Sequence, residues 1–444
     1  MADPCSRAVR HRVLIVTSSY APAMVADMQR SRQLAWTLPS YGWDVELLSP
    51  DHALQNPVVL EADGAAFFYA GAVVHTVREW LPGIFRAAGL RSIGWRALLP
   101  MAVSGFKLLR RRQYDVIYIS TANFPLFLLA VLWAPLGIPI VLDFHDPCRR
   151  ADRGLPIWAK RNFRNHLSLQ LNALIETASV RRAAAIVSVS PHYLIDLRNR
   201  YAGRSFDWDA LDRAVVIPFG AMQRDLKLVS ETAAKAGDGK EEVRIVYVGV
   251  GGPVMAKAFT LLCRTLQSLN NEDRTALSGL RIELYGTELG WRPGMSRYLA
   301  DIAQRFGVAE WVHEDPARIS YRRSLELLLG ADGALILGVD DAGYVPSKLY
   351  SYAASAKPLL ALLRRNGAVD DHFKQAPELG QVIWFDTDTD MPVVDAGEQL
   401  RTFLGLSRAR RHIDRPVVRR FSAEAAAERH AALFNACLPA NKQS

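Results

Sequence analysis

The chain has 444 residues, room for two to four domains at about 100–200 residues each. Half of the residues are hydrophobic and 22% are charged, a composition that excludes a disordered chain. Cys5, Cys148, Cys263 and Cys437 stand far apart, which argues against a disulfide-stapled scaffold and a thiolate zinc site, and a net charge of +9 points to an anionic partner.

Arg7, Arg10, His11 and Arg12 precede an apolar run from Val13 to Val16, too short for a secretory signal. That run opens a predicted strand at residues 12–17, followed by a helix at 28–41 that Gly42 ends, and a second strand at 44–48. Residues 124–142 carry no charge and approach the ~20 residues of a membrane span. Pro135, Gly137 and Pro139 divide them, which predicts a buried helix, a turn and a strand at 140–144. Further strands are expected at 114–120, 185–190 and 214–217, with a long helix at 157–182. Strands alternating with helices imply βαβ units and a parallel sheet.

Residues 228–242 turn polar, and the alternation then restarts with strands at 244–248, 281–285, 334–337, 358–362 and 381–385. An alanine-rich helix closes the chain, with Ser422 placed to cap it and Glu424 in its first turn. The expected organisation is a Rossmann-like domain over 10–220 with helix 421–438 packing back on it. A linker at 221–243 and a second Rossmann-like domain at 244–410 complete it.

Four segments carry candidate chemistry. The loop after the first strand holds Arg30 and Arg32, which also suit ordinary solvated helix charges. The strand VLDFHDP delivers His145 and Asp146 to the edge where α/β domains bind ligands, although His145 also suits a plain strand-end role. In YVGVGGP, Gly249, Gly251 and Gly252 allow close approach to a pyrophosphate, and the following helix bears Lys257; Val254 occupies the place of a third fingerprint glycine. The fourth segment places Pro346, Ser347, Lys348, Leu349 and Ser351 before Lys357-Pro358 and an apolar strand.

These residues resemble the retaining, nucleotide-sugar-dependent glycosyltransferases of family 4. The stretch PSKLYSYAASAKPLLALL is similar to that family's PSKL-aromatic-E-Y-L-A-x-G-K-P-V-L-A signature. VLDFHDP, IVSVSPHYLIDL, AVVIPFGA and YVGVGG resemble its other motifs in the right order. The resemblance implies an α/β chain of GT-B fold, two Rossmann-like doubly wound domains facing a cleft. It implies a UDP- or GDP-linked sugar as co-substrate on the second domain, an acceptor on the first, retention of configuration, and no cofactor or metal. His145 would then position a sugar hydroxyl with Asp146 supporting it, while Lys257, Lys348 and backbone N–H groups stabilise the leaving diphosphate. Three departures stand out: Ser351 replaces the family's ribose-binding glutamate, Ala356 its glycine and Phe219 its asparagine.

Between Arg78 and Arg112 eight basic residues face one acid, Glu79. Trp80, Phe85 and Trp95 are interleaved with them, and Arg110, Arg111 and Arg112 close the segment. A basic amphipathic stretch with aromatics suits an anionic membrane surface. A stripe that packs on the sheet is the plainer reading, and nucleic acid is not expected as a partner. The resulting expectation is a metal-independent hexosyltransferase, peripheral on the cytoplasmic face of the cell membrane, acting on a lipid-linked or cell-surface glycan precursor. A sugar-nucleotide epimerase, a catalytically silent GT-B partner protein and a nicotinamide oxidoreductase are the alternatives.

Overall fold

The computed structural model describes residues 10–25, 27–55, 57–69, 71–80, 92–149, 163–203, 209–231, 242–288, 296–386 and 393–440. The chain divides into two units, residues 1–219 with 423–444, and residues 220–422.

In the first unit the apolar runs form β1 (His11–Val16), β2 (Trp43–Pro50), β3 (Val73–Val77), β4 (Val116–Thr121), β5 (Ile140–Phe144), β6 (Ala185–Ser188) and β7 (Val215–Val216). Their order is β3-β2-β1-β4-β5-β6-β7, with every pair parallel. Strands β4, β5 and β6 are buried at every position, as parallel strands covered on both faces must be. Among the described residues these are accompanied by α1 (Met28–Thr37), α2 (Ile93–Arg111), α3 (Leu128–Trp133), α4 (Phe163–Val180), α5 (Pro191–Tyr201) and α6 (Asp209–Asp212).

The first helix is shorter than expected. Pro39 lacks the N–H that an α-helix needs, so the chain tightens into a 3-10 turn at Leu38–Tyr41. Gly42 then stops it in the left-handed region, at φ 81°. The uncharged stretch 124–142 becomes two short 3-10 turns flanking α3, then β5. The Trp133 indole donates to the Ala102 carbonyl of α2 at 3.0 Å. Gly105 permits that approach, because a Cβ there would lie 2.2 Å from the indole ring. Among the described residues no helix is long and apolar enough to cross a membrane.

The second unit repeats the plan with β8 (Val243–Val248), β9 (Leu280–Tyr285), β10 (Val312–Asp315), β11 (Gly333–Leu337), β12 (Leu359–Arg364) and β13 (Gln381–Phe385). All are parallel, in the order β10-β9-β8-β11-β12-β13. Its helices are α7 (Gln223–Ser230), α8 (Ala256–Glu272), α9 (Tyr298–Arg305), α10 (Tyr321–Gly330), α11 (Leu349–Ala354), α12 (Asp370–Gln375) and α13 (Val393–Arg408). The core lies where α8 lays Phe259, Leu262 and Leu266 on the sheet and α13 adds Phe403.

The expected linker at 221–243 needs correction. Leu226 and Val229 are buried, and the buried Asp225 accepts from the Tyr321 hydroxyl of α10 at 2.9 Å. This apolar spacing makes α7 a packed element of the second unit; residues 232–241 lie outside the described residues.

The last helix, α14 (Ala423–Cys437), belongs to the first unit. Phe434 packs edge-on against Trp43 at 5.3 Å and Tyr118 at 5.4 Å, so α14 covers that sheet.

Candidate functional site

Both sheets reverse their strand order once, between β1 and β4 in the first unit and between β8 and β11 in the second. Ligands of open α/β sheets bind outside the carboxyl ends of strands at such points. The segments singled out in the sequence fall there or one strand beyond: Thr17 after β1, His145 after β5, Gly249 after β8, and residues 338–348 after β11.

In the first unit the centre of the arrangement is Asp143, which is fully buried on β5. Its Oδ2 accepts from His145 Nε2 at 2.7 Å, Tyr118 at 2.7 Å, Ser120 at 2.9 Å and Arg30 Nε at 3.2 Å. Burial opposes the carboxylate, but His145 and Arg30 outweigh it and hold Asp143 well below the usual carboxylate range. His145 thus pairs with Asp143, two residues before it, where Asp146 was the expected support. With Nε2 turned to Asp143 and Ser120, His145 Nδ1 is buried without a partner among the described residues.

Arg30 and Arg32 are not solvated; both are buried. Arg30 also donates to the carbonyls of Ile217 and Pro218, and Arg32 to Phe67 and Gln29. Phe219, at the place of the family asparagine, lies 5.1 Å edge-on from His145 and 5.0 Å from the Arg30 guanidinium. Asp143 and Tyr118 were missed in the sequence, and Arg30 was named only as a loop charge that also suits a solvated helix face. The two-residue spacing of Asp143, on β5, and His145, just after it, was the available signal.

In the second unit the glycine segment folds back on itself. Gly249 N–H donates to Tyr285, Gly251 N–H donates to Thr287 at 2.8 Å, and the Tyr247 hydroxyl caps the Val250 carbonyl at 2.5 Å. Thr287 in turn donates to the buried Glu314 at 2.5 Å, whose other oxygen accepts the Ala300 N–H of α9 at 2.8 Å. Gly252 takes a left-handed φ of 73°. A Cβ at Gly251 would sit 3.0 Å from Thr287 and Leu299, so this loop needs its glycines for space and conformation.

Lys348 meets the same loop from the other side. A Cβ on Gly249 would lie 2.6 Å from Lys348 Nζ, which makes no ion pair among the described residues. The Lys348 residue is exposed overall, yet its ammonium crowds onto Gly249 beside Tyr247, Tyr344 and Tyr352. This desolvation, with Arg318 nearby, brings Lys348 down to about 8. Pro346 and Ser347 line the same small cavity of about 30 Å³, room for a water molecule rather than a ligand. Leu349 is buried, and Ser351 is half-buried in α11.

Lys257 is less available than expected. It donates to the Asp386 carbonyl and lies 3.5 Å from Asp340, which Arg364 approaches at 3.1 Å. A larger cavity of about 430 Å³ lies apart from these loops, along β13 between Arg365, Phe373, Trp384 and Gln399.

The basic segment of the first unit shows two faces. Leu98, Met101 and Leu109 pack inward with the half-buried Trp95, while Leu99, Val103 and Phe106 are 47%, 38% and 39% exposed. Trp80 is 52% exposed and Arg110 lies 5.7 Å from the Phe106 ring. Arg111 is exposed, Arg112 is tied to Glu46 at 2.5 Å, and Phe85 lies outside the described residues.

Residues 28–219 match the family described as Glycosyl transferase 4-like domain. No curated protein matches the sequence significantly. Among solved structures, HepE from Anabaena in complex with UDP-glucose is 13% identical, with a TM-score of 0.57 over 96% of this chain and 99% of that one. The catalytic domain of starch synthase IV from Arabidopsis thaliana, bound to ADP and acarbose, is 13% identical with a TM-score of 0.60 over 96% and 99%. An E. coli structure bound with UDP-2-fluoro glucose, described as trehalose-6-phosphate, is 12% identical with a TM-score of 0.58 over 96% and 99%. The chain thus has the GT-B fold, and its residues 28–219 match the Glycosyl transferase 4-like domain family.

Proposed function

We propose that the protein is a glycosyltransferase that uses a nucleotide-diphosphate sugar, UDP- or GDP-linked. The observation that carries this reading is the pairing of the Gly249–Gly252 loop with the Lys348 ammonium at the switch point of the second sheet. An ammonium with no ion pair among the described residues, beside a loop whose glycines leave space, suits a diphosphate, and the same cation offsets the charge that grows on it as the sugar leaves. UDP-glucose, UDP and ADP in the similar structures agree with that chemistry.

In this reading His145 holds a hydroxyl of the transferred sugar through Nδ1, while Asp143 fixes its tautomer. The reaction is a metal-independent hexosyl transfer with retention, and the acceptor is a lipid-linked or cell-surface glycan precursor. The exposed apolar row Leu99–Val103–Phe106, with Lys107, Arg110 and Arg111 beside it, supports docking on an anionic bilayer from the cytoplasmic side.

Incubation with a panel of UDP- and GDP-sugars and a lipid-linked acceptor extract tests this directly. Nucleoside diphosphate release that depends on acceptor is the expected result. Nucleotide binding with conversion of the donor sugar alone would favour an epimerase. Absence of nucleotide binding would favour a silent partner protein, the reading that Ser351 in place of the family glutamate supports.

A further inference from the structure

The cavity along β13 is used by neither set of loops at the switch points. It holds about 430 Å³, within the ~300–1,000 Å³ of small-molecule sites, and shares no lining residue with the small cavity at Lys348. β13 stands last in the order of its sheet, so no strand lies beyond it to close the opening. One wall is the half-buried Trp384, which the buried Phe373 of α12 meets edge-on at 6.2 Å and 87°. Around the indole stand Arg365, Asn366, Gln381 and Gln399. Among the described residues, neither these four side chains nor the indole N–H makes a hydrogen bond or ion pair within the protein.

That lining selects a ligand class. Three amides on one cavity make it too polar for a lipid chain. Each amide both donates and accepts, as a hydroxyl does, so the set matches a polyol. The indole adds a flat apolar face against which the C–H side of a pyranose can lie. A phosphate-rich ligand fits poorly: Lys374 is tied to Asp370 at 2.9 Å and lies 3.8 Å from Asp371, and the Asp370 carboxylate lines the same cavity. Arg365 alone is left to meet an anion, and its fork suits a single carboxylate. Asn366 keeps its amide at the rim in a left-handed turn, at φ 56°, a conformation that glycine would take more readily. We propose that this cavity is a saccharide site, separate from the donor loops, for a short glycan bearing one carboxylate. The pyranose lies on Trp384, its hydroxyls meet Asn366, Gln381 and Gln399, and the carboxylate meets Arg365. The site holds a glycan without any step of transfer, so it does not rest on the proposed transferase reading.

An array of neutral and uronate-containing oligosaccharides, probed with the full chain and no nucleotide, tests this. Uronate-bearing glycans should be retained most strongly. On the best of them Trp384→Ala should weaken binding roughly tenfold, and Gln399→Ala roughly threefold. Arg365→Gln should cost roughly tenfold on uronates and little on neutral sugars. Lys348→Ala should leave glycan retention unchanged, which separates the cavity from the proposed donor site. Arg365→Gln and Gln399→Ala should melt at the wild-type temperature, so they decide the matter if Trp384→Ala fails to fold. Three results would overturn the proposal: no glycan retained by the wild type, retention that Arg365→Gln and Gln399→Ala leave untouched, or inorganic phosphate competing as tightly as the saccharide binds. If glycans bind in this pattern and no donor sugar turns over, the transferase reading fails and the saccharide site stands.

Discussion

His145 and Asp143 sit two residues apart on one face of the chain at the end of β5, with Nε2 2.7 Å from the carboxylate. A buried carboxylate there orients the imidazole and leaves Nδ1 buried without a partner among the described residues. His145→Ala should lower turnover roughly tenfold or more while leaving donor affinity nearly intact, since a lost hydrogen bond to a reacting sugar is worth about 1–1.5 kcal/mol. Transfer kinetics at saturating donor check this; a near-normal rate returns His145 to a strand-end role.

Asp143 also governs stability against acid. Its native carboxyl titrates below the unfolded value of about 3.9, so its stabilisation is present above that pH and is lost as pH falls through the native value. Asp143→Asn leaves Arg30 buried without its counter-ion, which should cost about 3–5 kcal/mol at pH 7. The gap between wild type and variant should narrow as pH drops below 4 in urea titrations, and a constant gap would remove Asp143 from the acid response.

Lys348 ties donor binding to pH. Because desolvation and Arg318 bring it to about 8, the ammonium is charged below that value and progressively neutral above it. Nucleotide-diphosphate affinity should therefore weaken as pH rises from 7 to 9, and Lys348→Ala should weaken it about tenfold at pH 7 and abolish the pH trend. Lys257→Ala should cost less, since Asp340 and the Asp386 carbonyl already occupy that ammonium. Calorimetry at three pH values decides; a flat profile in the wild type would take Lys348 out of the site.

Ala356 holds a left-handed backbone at φ 60°, where the related family has glycine. An L side chain in that region costs about 1–2 kcal/mol, partly offset by the greater freedom of an unfolded glycine. Ala356→Gly should raise stability by up to about 1 kcal/mol, read as a higher midpoint in urea. A lower midpoint would show that contacts of the Ala356 methyl outweigh the strain.

Exposure of Trp80, Leu99 and Phe106 sets a membrane test. Sedimentation with acidic-lipid vesicles should fall with salt, and Arg110→Gln with Arg111→Gln should weaken it, at about 1 kcal/mol per charge. Leu99→Ser with Phe106→Ser should remove the part that persists at high salt and leave the melting temperature nearly unchanged, as both side chains are substantially exposed. Wild-type protein that ignores the vesicles would leave these residues as plain surface.

Sequence alone determined the layered α/β class, most strand positions, and the segments at the ligand edges. Strand identity follows from local apolar runs such as residues 12–17 and 140–144, and a strand's carboxyl end is where its site residues must fall. The glycine segment and the PSK segment were legible for the same reason, because each is contiguous. Pairings across the fold were not. That Arg30 is buried on Asp143 rather than solvated depends on β5 and α1 meeting in space, 113 residues apart in sequence. That Lys257 is occupied depends on Asp340 and Asp386, and that residues 223–230 form a packed helix depends on Tyr321. That the closing helix packs back on the first domain was an expectation of the sequence, but its bringing His430 to Tyr118 across 312 residues left no local signal there. Periodicity records what a residue's own element buries; which polar groups meet inside is decided only when the elements pack, because a buried charge is stable only beside the partner that packing supplies.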